Sequence, residues 1–127
     1  MMTLMINSAR SAFDYHAEDP QNSVELFRKL ELKSDAVVFL GNQQAELARL
    51  TLKEPEESEL VVDIDWSGIS TGTERLLWSG SMPAFPGLDY PLVPGYEAVG
   101  RIVYADSHPE LIGEHVFVPG ANCYQNA

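Results

Sequence analysis

The stretch Trp66 to Gly100, WSGISTGTERLLWSGSMPAFPGLDYPLVPGYEAVG, limits what this chain can fold into more than any other. It holds six of the nine glycines, four of the eight prolines and both tryptophans. Neither a long helix nor an unbroken strand survives such punctuation. The segment therefore reads as a long loop interrupted by short elements, with polar groups set among apolar ones. Binding and catalytic groups are usually mounted on loops held by a rigid scaffold, so this loop is expected to be the functional face.

The flanking runs supply the scaffold. Leu60 to Trp66 (LVVDIDW) alternates as a strand, with Val62, Ile64 and Trp66 expected on one face and Val61, Asp63 and Asp65 on the other. Ala36 to Leu40 is a short β-branched run stopped by the turn pair Gly41-Asn42. Gly100 to Tyr104 and His115 to Val118 read as two further strands, separated by a turn at Gly113-Glu114. Gln43 to Leu52 is open. Its Ala, Glu, Leu and Arg content favours helix, whereas Ala48, Leu50 and Leu52 alternate as in a strand. Short strands broken by glycine and proline describe a β-rich barrel or sandwich.

The first part of the chain has a different character. Met1 to Glu18 shows no sustained period and is expected to be irregular. Asp19 and Pro20 then form a helix start, a capping carboxylate followed by proline at the first helical position. Val24, Phe27 and Leu30 fall on one face of the helix expected over about 20–33. That face either packs on its own domain or docks a partner. The division expected is an extension over 1–33 and a domain over 34–127, since 127 residues suit one core rather than two.

Charge narrows the partners. With 8 basic and 19 acidic residues, net −11, the chain lacks the basic stripe that nucleic acid requires. One cysteine, Cys123, leaves no disulfide framework or cysteine-rich zinc site. No apolar run reaches membrane-spanning length and no signal-peptide pattern opens the chain. A cytoplasmic location is expected, with attachment at a membrane surface the alternative.

Within the central loop, Thr71 and Glu74 match a capping box for a short helix running to Trp78, which Gly80 ends in a left-handed turn. Ser70 precedes that cap and is the freer hydroxyl. The prolines at 83 and 86 stiffen the next segment, and Gly95 delivers Tyr96 and Glu97 to a strand entrance.

These motifs resemble a known family. G-I-S-x-G-T-E, the proline-rich loop, P-x-V-P-G-Y-E-A-V-G-x-I-V and I-G-E-x-V-F-V are similar to the first domain of the medium-chain dehydrogenase/reductase superfamily. The longer string WSGISTGTERLLWSG…PAFPG…YPLVPGYEAVGRIV most resembles its 3-hydroxyethyl bacteriochlorophyllide a dehydrogenase branch, from about Ser34 onward. The resemblance implies a mainly β (α+β) fold, a GroES-like partly open β-barrel, and a strand over Gln43 to Leu52. It implies hydride transfer to NAD or NADP, held in a complete enzyme by a Rossmann domain that this chain lacks. The glycines at 95 and 100 do not have the spacing of a G-x-G-x-x-G turn, so the chain alone is expected to bind no dinucleotide.

Zinc-dependent members of the superfamily carry a cysteine ligand where Ser70 stands and a histidine ligand where Tyr96 stands. A hydroxyl and a phenol are poor replacements for thiolate and imidazole, and no zinc is expected. His16, His108 and His115 lie away from the motif. The resemblance makes Tyr96 the first candidate for moving the substrate hydroxyl proton and Ser70 the second, with Glu97 orienting them. Trp78, Phe85 and Tyr90 would line an apolar pocket for the chlorin; ordinary packing is the competing role for each. Two functions follow. One is part of a zinc-independent dehydrogenase converting a 3-hydroxyethyl group to acetyl in bacteriochlorophyll biosynthesis. The other is a truncated, non-catalytic pigment- or protein-binding subunit, pairing with copies or partners through open strand edges and the 1–33 extension.

Overall fold

The structure, a computed structural model, describes residues 3–7 and 32–119. Its centre is β4 (Leu60–Ser67), which pairs antiparallel with β5 (Glu97–Ala105). A third strand, β6 (His115–Pro119), pairs antiparallel with β5, and β1 (Thr3–Asn7) lies parallel to β4 on its other side. The sheet order is thus β1-β4-β5-β6. A separate ribbon joins β2 (Lys33–Gly41) to β3 (Gln44–Thr51) through a tight turn in which Gln43 adopts φ 55°.

β4 is the driest strand because apolar material covers both of its faces at one end. On one face Leu60 and Val62 pack with Ile102 and Ala105, with Val116 and Val118 at the margin. On the other, Val61 packs with Tyr104 and Leu32. Val61 and Val62 are both fully buried, and each contributes roughly 1.5 kcal/mol by leaving water. A third cluster, Phe39, Leu77 and Leu92, ties the ribbon to the central loop. There Phe39 and Leu92 exchange backbone hydrogen bonds of 2.8 and 3.0 Å.

Two register shifts set the shape of the sheet. One falls between Val61 and Val62, the other between Ile64 and Trp66. Val62 and Ile64 face Ile102 and Gly100, but Trp66 faces Val99. The extra residue, Asp65, inverts the alternation, so Trp66 leaves the face of Val62 and Ile64. This corrects the expectation that the three share a face. Beside the shift, β4 and β5 come very close: a Cβ on Gly100 would lie 2.1 Å from the Asp63 carbonyl oxygen.

A buried carboxylate closes the entry to β4. Glu59 accepts a 2.9 Å hydrogen bond from Lys53 Nζ and another of 2.9 Å from the Glu56 N–H. Burial pushes its pKa up, but the Glu56 N–H and the Lys53 ammonium together hold it below the ordinary 4.5.

Other expectations meet the structure as follows. The strands at Ala36 to Leu40, Leu60 to Trp66, Gly100 to Tyr104 and His115 to Val118 are present and slightly longer. Gln43 to Leu52 forms β3, as the resemblance implied and against its helical composition. Met1 to Glu18 is not wholly irregular, because Thr3–Asn7 pairs with Leu60–Ile64. The helix expected over about 20–33 falls mainly outside the described residues, and Lys33 already belongs to β2. Cys123 also lies outside them. Among the described residues the hydrogen bonding makes a mainly β structure of two sheets, not closed into a barrel.

Candidate functional site

The two halves of the central motif meet where β4 ends and β5 begins. The Gly68 N–H donates to the Glu97 carbonyl at 2.9 Å. Above Gly68 lies the Glu97 side chain, whose Oε1 would be 2.5 Å from a Cβ at that position. In this conformation the Glu97 arm fills the space that a β-carbon at Gly68 would occupy. This clamp sets Gly68, two residues before Ser70, beside Glu97, the residue after Tyr96. Gly95, at φ 106°, provides the backbone bend that delivers Tyr96. Tyr96 is half-buried and Glu97 is exposed.

Ser70 is less free than expected. Its Oγ accepts the Thr73 N–H at 3.2 Å, and its carbonyl accepts the Glu74 N–H at 3.3 Å. Ser70 thus serves the start of the helix α1 (Thr73–Trp78). The capping box does not form: Gly72 is the N-cap, no side chain caps there, and Thr71 is exposed. Glu74, assigned from its spacing to the box, is only 7% exposed, and neither carboxylate oxygen has a hydrogen-bond partner among the described residues. Motif spacing gives no sign of this, because it presumes the cap. The other end of α1 matches expectation. Gly80 has φ 66°, and the N–H groups of Gly80 and Ser81 return to Leu77 and Leu76.

The three aromatic candidates separate. Trp78 stacks obliquely on Phe39, ring centroids 5.5 Å apart. Tyr90 packs against the Phe39–Leu77–Leu92 cluster, and its hydroxyl donates to the Leu77 carbonyl. Phe85 is 69% exposed and stands apart from that cluster, between Pro83 and Pro86. So Trp78 and Tyr90 share one wall, while Phe85 projects into solvent.

Among the described residues no three His, Cys, Asp or Glu side chains are grouped to hold a metal ion. His108 pairs with Glu110 at 3.1 Å and His115 lies 3.7 Å from Asp65. Nor, among the described residues, does any strand lead through a glycine-rich turn into a helix of the kind that cradles a dinucleotide. No described helix is long and apolar enough to cross a membrane.

The geometry defines a mainly β module that clamps two loop motifs together at a strand junction. The chain is homologous, at 48% identity over 94 residues, with the 2-desacetyl-2-hydroxyethyl bacteriochlorophyllide A dehydrogenase of Rhodobacter capsulatus, and to the same extent with that of Cereibacter sphaeroides. The shared stretch is 73% of this chain and 30% of each relative, so the chain spans about a third of their length. No family model matches the chain, and no solved structure matches it.

Proposed function

We propose that this chain supplies the substrate-side part of a zinc-independent dehydrogenase that oxidises the 3-hydroxyethyl group of a bacteriochlorophyllide to acetyl, in a GroES-like domain. The observation that carries this reading is the 48% identity to the two dehydrogenases over a stretch of 94 residues. The Gly68–Glu97 clamp supports it by bringing the two loop motifs to one place.

Oxidising a secondary alcohol removes a hydride from carbon and a proton from oxygen. In a complete enzyme NAD or NADP would take the hydride; none of the described residues is arranged to hold it. The proton is this chain's part of the reaction. Tyr96 is half-buried at the clamp, where its phenol can accept a hydrogen bond from the substrate hydroxyl and pass the proton on. Glu97 fixes the backbone on which Tyr96 sits. Ser70 is the second candidate, its oxygen shared with the Thr73 N–H. On the central loop Phe85 and the exposed part of Trp78 present apolar area, and Tyr90 can present only its ring, since its hydroxyl is engaged with Leu77.

The test is an exchange. The matching 94 residues of the Rhodobacter capsulatus relative are replaced by those of this chain, and acetyl formation is followed. Retained turnover supports the reading, and a folded but inactive exchange overturns it. In an active exchange, Tyr96→Phe should lower kcat by about 100-fold with KM nearly unchanged. Unaltered turnover would pass the role to Ser70.

A further inference from the structure

The central strands turn one apolar row to solvent. Trp66 on β4 is paired with Val99 on β5, and Val99 with Phe117 on β6. Residues directly opposite one another in a ladder point to the same face, so the three side chains stand side by side. Neighbouring strands are about 4.8 Å apart, which gives a ledge roughly 10 Å across. Trp66 is 78% exposed, Val99 39% and Phe117 59%. Isolated apolar residues on a surface need no explanation, but a contiguous row containing two aromatics marks a binding face.

The polar groups beside the row narrow what it can bind. Two residues along β5 on the same face is Arg101, opposite Asp63 on β4 and His115 on β6. Arg101 is exposed and joins no ion pair among the described residues, whereas His115 is occupied by Asp65 at 3.7 Å. On the other side of the row Glu97 is paired with Pro119. A flat apolar ledge with one uncommitted guanidinium at its margin suits a planar aromatic acid. A second copy of the chain suits it poorly, because each copy carries a net charge of −11.

We propose that Trp66, Val99 and Phe117 form a platform for the flat face of a tetrapyrrole, with Arg101 receiving the carboxylate at the macrocycle's edge. The proposal rests on the reading above that the substrate is a bacteriochlorophyllide, which is planar, apolar over both faces and ionised at one edge. It places the macrocycle on the sheet face instead of on the Trp78–Tyr90 wall.

The experiment titrates the full chain with pheophorbide a and with its methyl ester, reading the circular dichroism induced in the chlorin band. Trp66→Ser and Phe117→Ser should each weaken binding by about tenfold or more, with melting curves showing both variants folded. Arg101→Gln should weaken binding of the acid and leave that of the ester within about twofold. Binding indifferent to Trp66→Ser and Phe117→Ser, or lost instead on Trp78→Ala or Phe85→Ala, overturns the platform. So does a dimer in sedimentation that Phe117→Ser disperses, which would assign the row to a second copy. The exchange experiment separates this from the function itself. An active exchange whose KM ignores the Trp66 and Phe117 substitutions removes the platform alone, whereas an inactive exchange beside intact pheophorbide binding removes the dehydrogenase reading alone.

Discussion

The two ends of the central sheet are made from the same strands and have opposite fates. At the Leu60–Val62 end, apolar residues of β4 and β5 are covered on both faces, by Leu32 and Leu52 on one side and by Leu111 and Ile112 on the other. At the Trp66 end, Trp66, Val99 and Phe117 are also apolar and yet stand exposed. Hydrophobicity therefore does not decide which part of the sheet is core. The neighbours do: Leu32 and Leu52 reach the first end, whereas at the second the described residues leave Trp66 and Phe117 mostly in water. One end stabilises the fold, and the other is surface available for recognition.

The sharpest way to break this comparison is at Gly100, between the two ends. Gly100→Ala places a methyl group against the Asp63 carbonyl, a backbone atom that cannot swing aside. The expected loss is about 3 kcal/mol, read from denaturant titration. A tolerated alanine would show that the two strands can separate, and that the ends are not rigidly joined. Next in size is the contrast between Val62→Ala and Trp66→Ser. The first should cost about 2 kcal/mol, because it opens a cavity in a fully buried position. The second should change stability by no more than about 0.5 kcal/mol, although it removes a far larger side chain. Equal costs would erase the distinction between core and open face.

The smallest effect concerns acid and belongs to the buried end. Glu59 has a folded pKa below its ordinary 4.5, so the unfolded chain takes up its proton at a higher pH than the folded one does. The resulting stability is fully present above about pH 4.5 and is lost as the pH falls through the lower, folded value. Glu59→Gln should flatten that acid limb and cost about 1 kcal/mol at neutral pH. An unchanged acid limb would place the sensitivity elsewhere. Trp66→Ser should leave the limb unaltered, which again separates the two ends.

How much of this was legible depends on what each residue responds to. β2 and β4 could be read because β-branched runs between turn residues express a local preference. β3 could not, because Ala45 to Leu50 prefers helix on its own and is extended only through pairing with β2 across the Gly41–Gln44 turn. β1 depends on a strand far along the chain, to which no short window points. The exposure of Trp66 was hidden by one bulged residue, Asp65, since alternation fails at the first irregularity. At the site, the adjacency of Gly68 to Glu97 could be inferred only from the family pattern. The spacing of Thr71 and Glu74 suggested a cap that Gly72 and Ser70 provide differently.

The failed capping box has a consequence for motion. Glu74 sits dry in the first turn of a six-residue helix, with no hydrogen-bond partner among the described residues. Each local opening of the segment from Ser70 to Gly80 returns that carboxylate to water, and the hydration it recovers offsets part of the cost of breaking the helix. The loop that carries Ser70 is thereby set to breathe more readily than the sheet that holds it. Its amides should exchange with solvent ahead of those of β4 and β5.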